Sequence, residues 1–562
     1  MSDPTVDEAF DFVIVGSGAG ALAAALLMRS QGKSVLVLEK TELLGGTTAT
    51  SGGVMWIPNN RFMKAAGIKD SPESAVAYLD ALADDDAASP GAARARRLAY
   101  LEEAPRMLDF LTAQGVKLRR LPSWPDYYDR PGASEASRTV TSELFDLRKL
   151  GDWKTRLRPN FLPFPVTIDE AMHLPWFKKT MAGRVVMAKM IFRTLLSKVT
   201  GAQLVTAGAA LQGQLLRAAL DAGVEIRVSA PVKTILSGGD RVTGVEAEID
   251  GKVRRIGAGL GVLLNSGGFS RNQAMRDQYI PGSSVDWTNT APGDTGEVIQ
   301  EAVRLGAALA QMGEAVGQPI ALPPGNRPIK PMLQAELAKP HAIVVDQGGA
   351  RFMNEAQSYV ELSRALRERR RSSPPAQSWL VVDAQFLRNY MFVGTLPGSP
   401  KPEAWLEAGF LRKGDTIEAL ARACDIEPAK LQATVERFNG FAKAGRDEDF
   451  HRGDWVYHRW LGDPTQEGAA QTLGALEEGP FYAVQIYPGD ISTFGGLVTD
   501  ADARVLKGDG SPIPGLYATG TTTAAVMGAR SPGAGASVGP GFTFAYIAAK
   551  HAANAGNQPN LA

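Results

Sequence analysis

Hydrophobic positions change texture several times along the chain. Residues 11–15, DFVIV, form a short apolar run, and GSGAGALAAALLMRSQG after it turns from small residues to alanine and leucine. SVLVLEK follows and ends on Glu39. This order predicts strand, glycine turn, helix and second strand. VEIRVSAPVKTILSGGDRVTGVEAEID (224–250) alternates as strands and hairpins do, and GLGVLLNSGG (259–268) predicts a buried strand running into a glycine turn. After about residue 320 the texture becomes proline-rich loops, then helices such as TIEALARACDIEPAKLQATVERFNGFAKAG. IPGLYATG (513–520) predicts a late short strand, and VMGARSPGAGASVGPGFTFAY (526–546) a glycine turn before a final helix.

The first of these patterns is what a dinucleotide site requires. Gly16 permits the tight turn, Gly18 admits a pyrophosphate close to the backbone, and the third small position falls on Ala21, preceded by Gly20. The helix start offers unpaired N–H groups to phosphates. Glu39 is placed to accept hydrogen bonds from a ribose diol. In KTELLGGTTATSGGVMWIPNN the pairs Gly45–Gly46 and Gly52–Gly53 bracket small hydroxyl residues, a backbone-rich loop able to pass close to a flat ring and a diphosphate.

Composition narrows the picture. A chain of 562 residues exceeds one simple core and predicts two domains. Sixty basic residues balance sixty acidic ones, which gives no overall field for nucleic acid. One cysteine, Cys424, excludes an internal disulfide and a thiolate metal cluster and reads as a buried inert thiol. The five histidines are scattered and predict no metal site; His451 and His458, flanking a tryptophan and a tyrosine, read as surface. An acidic start without an apolar run, and the lack of a long apolar stretch, point to a cytoplasmic protein. One stretch departs from even charge. From Ala171 to Leu220 there is no acidic residue, while Lys178, Lys179, Arg184, Lys189, Arg193 and Lys198 interleave with apolar positions. Either this amphipathic segment (171–200) lies on anionic lipid, or its apolar face packs on the nucleotide domain and its basic face is solvated.

VIVGSGAG, GGTTATSGGVMWIPNN, LNSGGFSRN, GARFMNEAQSYVE, YPGDISTFGGLVTD and PGLYATG…VMG…PGAG stand in the order in which similar motifs occur in the 3-ketosteroid Δ1-dehydrogenases. Over about residues 10–550 the chain resembles that family, part of the wider fumarate reductase flavoprotein group. The resemblance implies an α/β, Rossmann-like FAD domain from residues 1–319 and 490–562, with a basic insertion at about 150–204. An α+β substrate domain is expected at 320–489. FAD contacts are expected at Gly16, Gly18, Gly20, Ala21, Glu39, Lys40, Gly46, Thr47, Ser51, Gly52, Gly53, Gly520, Gly535, Ser537 and Val538. The implied substrate is an apolar, steroid-like ketone, and the electron acceptor a quinone or another carrier.

Desaturation beside a ketone needs a base for the α-proton, a hydride acceptor, and donors at the ketone oxygen, where charge develops. The resemblance assigns the base to Tyr359 and a supporting phenol to Tyr127, with Tyr128 in reserve. An ordinary phenol has a pKa of about 10, so a base role leads us to expect a lowered value. The family's tyrosine-proline-glycine-x-glycine turn reads SPGAG here: Gly535 keeps the backbone donor, and Ser531 stands where the ketone-binding tyrosine is expected. Ser531 or Tyr487 is then the second donor. A competing reading makes Arg530 a clamp for a carboxylate-bearing substrate, although Ser492 stands where the carboxylate-binding reductases have histidine. A flavin-binding relative with a decayed site is the remaining alternative.

Overall fold

The structure is a computed structural model that describes residues 6–83, 89–325, 327–372 and 377–555. Its first sheet has a parallel core. Pro512–Ala518, Lys252–Leu264, Glu8–Val15, Val35–Leu38 and Glu225–Arg227 lie side by side in that order, with Phe12 opposite Val35 and Val262 opposite Leu516. The expected strand at 513–520 thus sits beside strands from the first half of the chain. Strands Val232–Gly238 and Arg241–Ile249 add an antiparallel extension on Lys252–Leu264.

The apolar run of the first strand is continuous because both faces are covered. Phe12 and Ile14 pack with helices Ala21–Ser30, Ala207–Asp221 and Val538–Ala555. Val13 and Val15 pack on the opposite side with Val232, Val245 and Ile299. The first and last helices touch closely: a Cβ on Gly20 would run into the Gly541 carbonyl and the Ala545 methyl.

A second, wholly antiparallel sheet orders Ala315–Ile320, Phe481–Thr493, Ser378–Val382 and Ala342–Asp346, with Leu411–Gly414 also paired to the long strand Phe481–Thr493. Its faces carry separate cores, one around Val344, Leu380 and Phe386, the other around Val345, Trp379 and Phe438. Cys424 is buried in the second of these.

The basic segment folds as helices Ile168–His173 and Met181–Thr200, joined through the buried Trp176. Of the longer helix only Gly183 and Val186 are buried. The expectation that its whole apolar face packs on the nucleotide domain is therefore not met. No helix among the described residues is long and apolar enough to cross a membrane.

Candidate active site

A cavity of about 840 Å³ runs between the two sheets. At one end the glycine turn contributes Gly16 and Gly18, and the following strand contributes Glu39 and Lys40. The loop after it supplies Gly46, Thr47, Ser51 and Gly52, and the distant C-terminal segments Gly520, Gly535, Ser537 and Val538. A Cβ on Gly18 would meet nothing closer than 3.9 Å, so this backbone stands open toward the cavity. Two buried polar atoms on the same wall, Asn265 Nδ2 and Asp294 Oδ2, have no hydrogen-bond partner among the described residues. Burial pushes the Asp294 carboxyl up to about 6. A glycine cradle, orphaned donor and acceptor groups and a helix start beside them fit a dinucleotide. Glu39 is held in place by Ser17 Oγ at 2.5 Å and Thr41 Oγ1 at 2.8 Å, and Lys40 by Thr295 and Glu297.

Three expected contacts lie elsewhere. Gly20 and Ala21 are off the wall, because Gly20 is taken up by the Gly541 crossing and Ala21 is buried in the core behind it. Gly53 is also off the wall: with φ +61° it presses its backbone on Ala207 and Gly208, where a Cβ has no room.

At the other end the cavity meets an aromatic group drawn from three segments. The Tyr127 and Tyr359 rings meet edge to face at 5.9 Å, and Tyr457 lies 4.5 Å from Tyr127. Trp124 and Trp460, 4.6 Å apart, complete this wall. Each phenol is placed by a polar frame. Tyr127 follows Asp126, which accepts from Trp56 Nε1 at 2.7 Å and from Arg138 at 2.8 Å, while the Tyr127 N–H donates to the Pro532 carbonyl. Tyr359 opens the helix Tyr359–Ser372. The preceding RFMNE turn is locked by a buried network in which Glu355 binds Arg351 at 2.8 Å and Arg452 at 3.1 Å, and Asn354 donates to the Phe450 carbonyl. The quoted motif is therefore a launching frame for Tyr359.

Removal from water pushes the Tyr359 phenol up, against the expected lowering. Hydrogen bonds from the Tyr127 and Ser531 hydroxyls hold the rise back. Burial drives Tyr127 and Tyr457 much higher. Among the three phenols Tyr359 thus releases its proton most readily, and the positive end of its own helix adds to this preference.

Ser531 is buried, its hydroxyl donates to the Tyr359 oxygen, and it is not among the residues that line the cavity. Arg530 is also off the wall, its Nε 3.9 Å from the Glu361 carboxylate. Tyr128, the reserve for the supporting phenol, donates to that carboxylate at 3.0 Å, and Tyr487, the alternative ketone donor, donates to Gln485 at 2.7 Å; neither lines the cavity. Ser492 does.

Tyr457 was missed in the sequence. The expectation of a surface for the His451–His458 stretch holds for His451 but fails for Tyr457 and His458, which are buried; burial lowers the His458 imidazole to about 4. A tyrosine in the six-residue helix Val456–Leu461 gives no sequence signal of the tertiary stack it joins.

A further stretch of the wall is apolar, with Phe161, Phe164, Met172, Phe177, Met187 and Met190 all from the basic segment and its approach. Lys40 and Arg158 are the only cations on the wall among the described residues, and both lie at the nucleotide end, Arg158 bonded to Thr41 Oγ1. No group of three or more potential metal ligands occurs among the described residues.

Residues 11–538 match the family model described as "FAD binding domain". The 3-oxosteroid 1-dehydrogenase of Mycolicibacterium smegmatis is 38% identical over 558 residues, 96% of each chain. The 4-oxocyclohexanecarboxylate 2-dehydrogenase of Sinomonas cyclohexanicum is 36% identical over 96% of this chain and 92% of its own. Among solved structures, 3-ketosteroid delta1-dehydrogenase from Sterolibacterium denitrificans, in complex with 1,4-androstadiene-3,17-dione, superposes with a TM-score of 0.91 at 36% identity. That match covers 98% of this chain and all of the other. With this fold, a matching family model and relatives of nearly equal length, the chain belongs to the 3-ketosteroid dehydrogenase family of FAD-dependent oxidoreductases.

Proposed function

We propose that this protein introduces a double bond next to the carbonyl of a 3-ketosteroid, at the 1,2 position. The observation that carries the reading is the Tyr127–Tyr359 pair on the wall of a cavity that also presents Gly535 and the glycine cradle. FAD, held by Gly16, Gly18, Glu39, Gly46, Thr47 and the Gly520 and Gly535–Val538 segments, supplies the hydride acceptor when bound.

The chain's own groups do the rest. Tyr359 takes the proton from the carbon beside the ketone. Tyr127, donating to the Tyr359 oxygen, stabilises the phenolate and gives the proton a way out toward Tyr457. The Gly535 backbone N–H meets the ketone oxygen as charge gathers there, a contribution of the kind worth about 3 kcal/mol of barrier. Phe161, Phe164, Met187 and Met190 exclude water from an apolar ring system. Reoxidation is assigned to a separate carrier, a quinone or similar, in keeping with a chain that shows one dinucleotide fingerprint.

The relative acting on 4-oxocyclohexanecarboxylate raises a second substrate class, a small ketone with a carboxylate. Arg530 paired to Glu361, and an aromatic end whose described wall holds no cation, speak against it. Anaerobic mixing of the FAD-loaded protein with 4-androstene-3,17-dione tests the choice. We expect rapid bleaching of the flavin; bleaching by 4-oxocyclohexanecarboxylate alone would overturn the steroid assignment.

A further inference from the structure

We propose that helix Met181–Thr200 seats the protein on the surface of an anionic lipid bilayer and opens the substrate cavity toward it. The outward side of this helix is apolar: Met181, Val185, Ile191, Phe192, Leu195, Leu196 and Val199 are all exposed, Phe192 at 65% and Val199 at 85%. Their spacings of three, four and seven set them on one face. Soluble proteins rarely leave so continuous an apolar surface open to water.

Charge identifies the partner. Arg184 and Lys198 fall on one flank of that face and Lys189 on the other, at positions from which basic side chains reach up to headgroups while the apolar face sinks between them. No acidic residue occurs from Ala171 to Leu220. Lys189 and Arg193 share Glu170 from the preceding helix, whereas among the described residues no carboxylate lies within 4.0 Å of Lys178, Arg184 or Lys198. A protein partner of opposite charge would match the cations but not the breadth of the apolar face; anionic lipid matches both.

The inward side of the same helix ties the surface to the site. Met187 and Met190 line the cavity, as do Phe164 and Leu396, which are themselves exposed. An apolar ligand leaving the bilayer beside the helix therefore meets an apolar path inward without crossing bulk water. This last point rests on the proposed apolar ketone; binding to lipid does not, so the two stand or fall separately.

The test uses the FAD-loaded full chain and vesicles of phosphatidylcholine, with or without about a third phosphatidylglycerol. We expect co-sedimentation with the anionic vesicles at low salt, weakening about tenfold or more on neutral vesicles or in high salt. The double variant Phe192→Gln/Leu196→Gln is expected to lose at least tenfold in vesicle binding while keeping its flavin spectrum and its turnover of ketone supplied in solution. Lys178→Gln/Lys198→Gln, which leaves the apolar face intact, should lose the preference for anionic lipid. Failure of the parent protein to sediment with anionic vesicles at low salt overturns the proposal. So does a parent protein that is dimeric in solution, becomes monomeric on Phe192→Gln/Leu196→Gln and ignores vesicles, since the face then belongs to a second copy.

Discussion

At the scale of single residues, the Tyr359 hydroxyl stands between two opposing influences, loss of water that favours the phenol and two hydroxyl donors that favour the phenolate. Removing the oxygen in Tyr359→Phe is expected to lower kcat by about 10²–10⁴-fold with the flavin still bound, as read by steady-state turnover with a dye acceptor. Because the phenol is raised above 10, the reactive phenolate grows with pH, so kcat/KM should climb about tenfold per unit across the alkaline range until that value is passed. Ser531→Ala takes away one donor to the anion. The phenol then rises further, and at a fixed pH the rate falls by about tenfold while the alkaline limb shifts upward. A Ser531→Ala profile that coincides with the parent's would mean that Ser531 does not act on Tyr359.

Among elements, the segment carrying Tyr127 is the most tightly framed. Asp126 is fully buried, binds Trp56 and Arg138, and has its carboxyl raised by burial to about 6; Arg138 also pairs with Asp70. Asp126→Ala strips a buried cation of one partner and an indole of its acceptor. It should cost about 3 kcal/mol in chemical denaturation and lower kcat more than it raises KM, since Tyr127 loses its support rather than the ligand its pocket.

This level also marks where the sequence stops being informative. The glycine fingerprint, the doubly covered apolar strands and the last helix are local patterns, and all are legible. Gly20 belongs to the same fingerprint, yet its neighbour is Gly541, more than five hundred positions away, and no local pattern carries that contact. Tyr457 beside Tyr127, and Ser531 turned to Tyr359, are likewise products of distant segments meeting. The outward apolar face of Met181–Thr200 was visible as periodicity, but whether anything covered it was not.

For the molecule as a whole, stability should depend on pH through carboxyls held neutral inside. Glu336 is buried, accepts from the Val393 N–H at 2.7 Å, and has its carboxyl pushed up to about 7 from 4.5. Between those values the folded chain keeps a proton that the unfolded chain has released. Stability therefore falls as pH rises from about 4.5 to 7, and levels off above. Lys339 nearby, lowered by burial to about 8, has the opposite sign and acts only at higher pH, where stability rises between about 8 and 10.5. Glu336→Gln should flatten the acidic part of the curve, changing the difference in unfolding free energy between pH 5 and pH 8 by about 3 kcal/mol. An unfolding free energy from urea titration that changes equally between pH 5 and pH 8 in the two proteins would refute this.

The sheet that places Pro512–Ala518 against Lys252–Leu264, under a final helix crossing the first, also has a consequence during synthesis. Nearly five hundred residues separate the opening strand from its late companion, which at ribosomal speed is roughly 25–100 s. Throughout that interval the glycine cradle has only one of its two sides. Capture of the vitamin-derived prosthetic group thus waits until the segment from Pro512 to Val538 has been made, and a nascent chain stalled before Pro512 should emerge colourless.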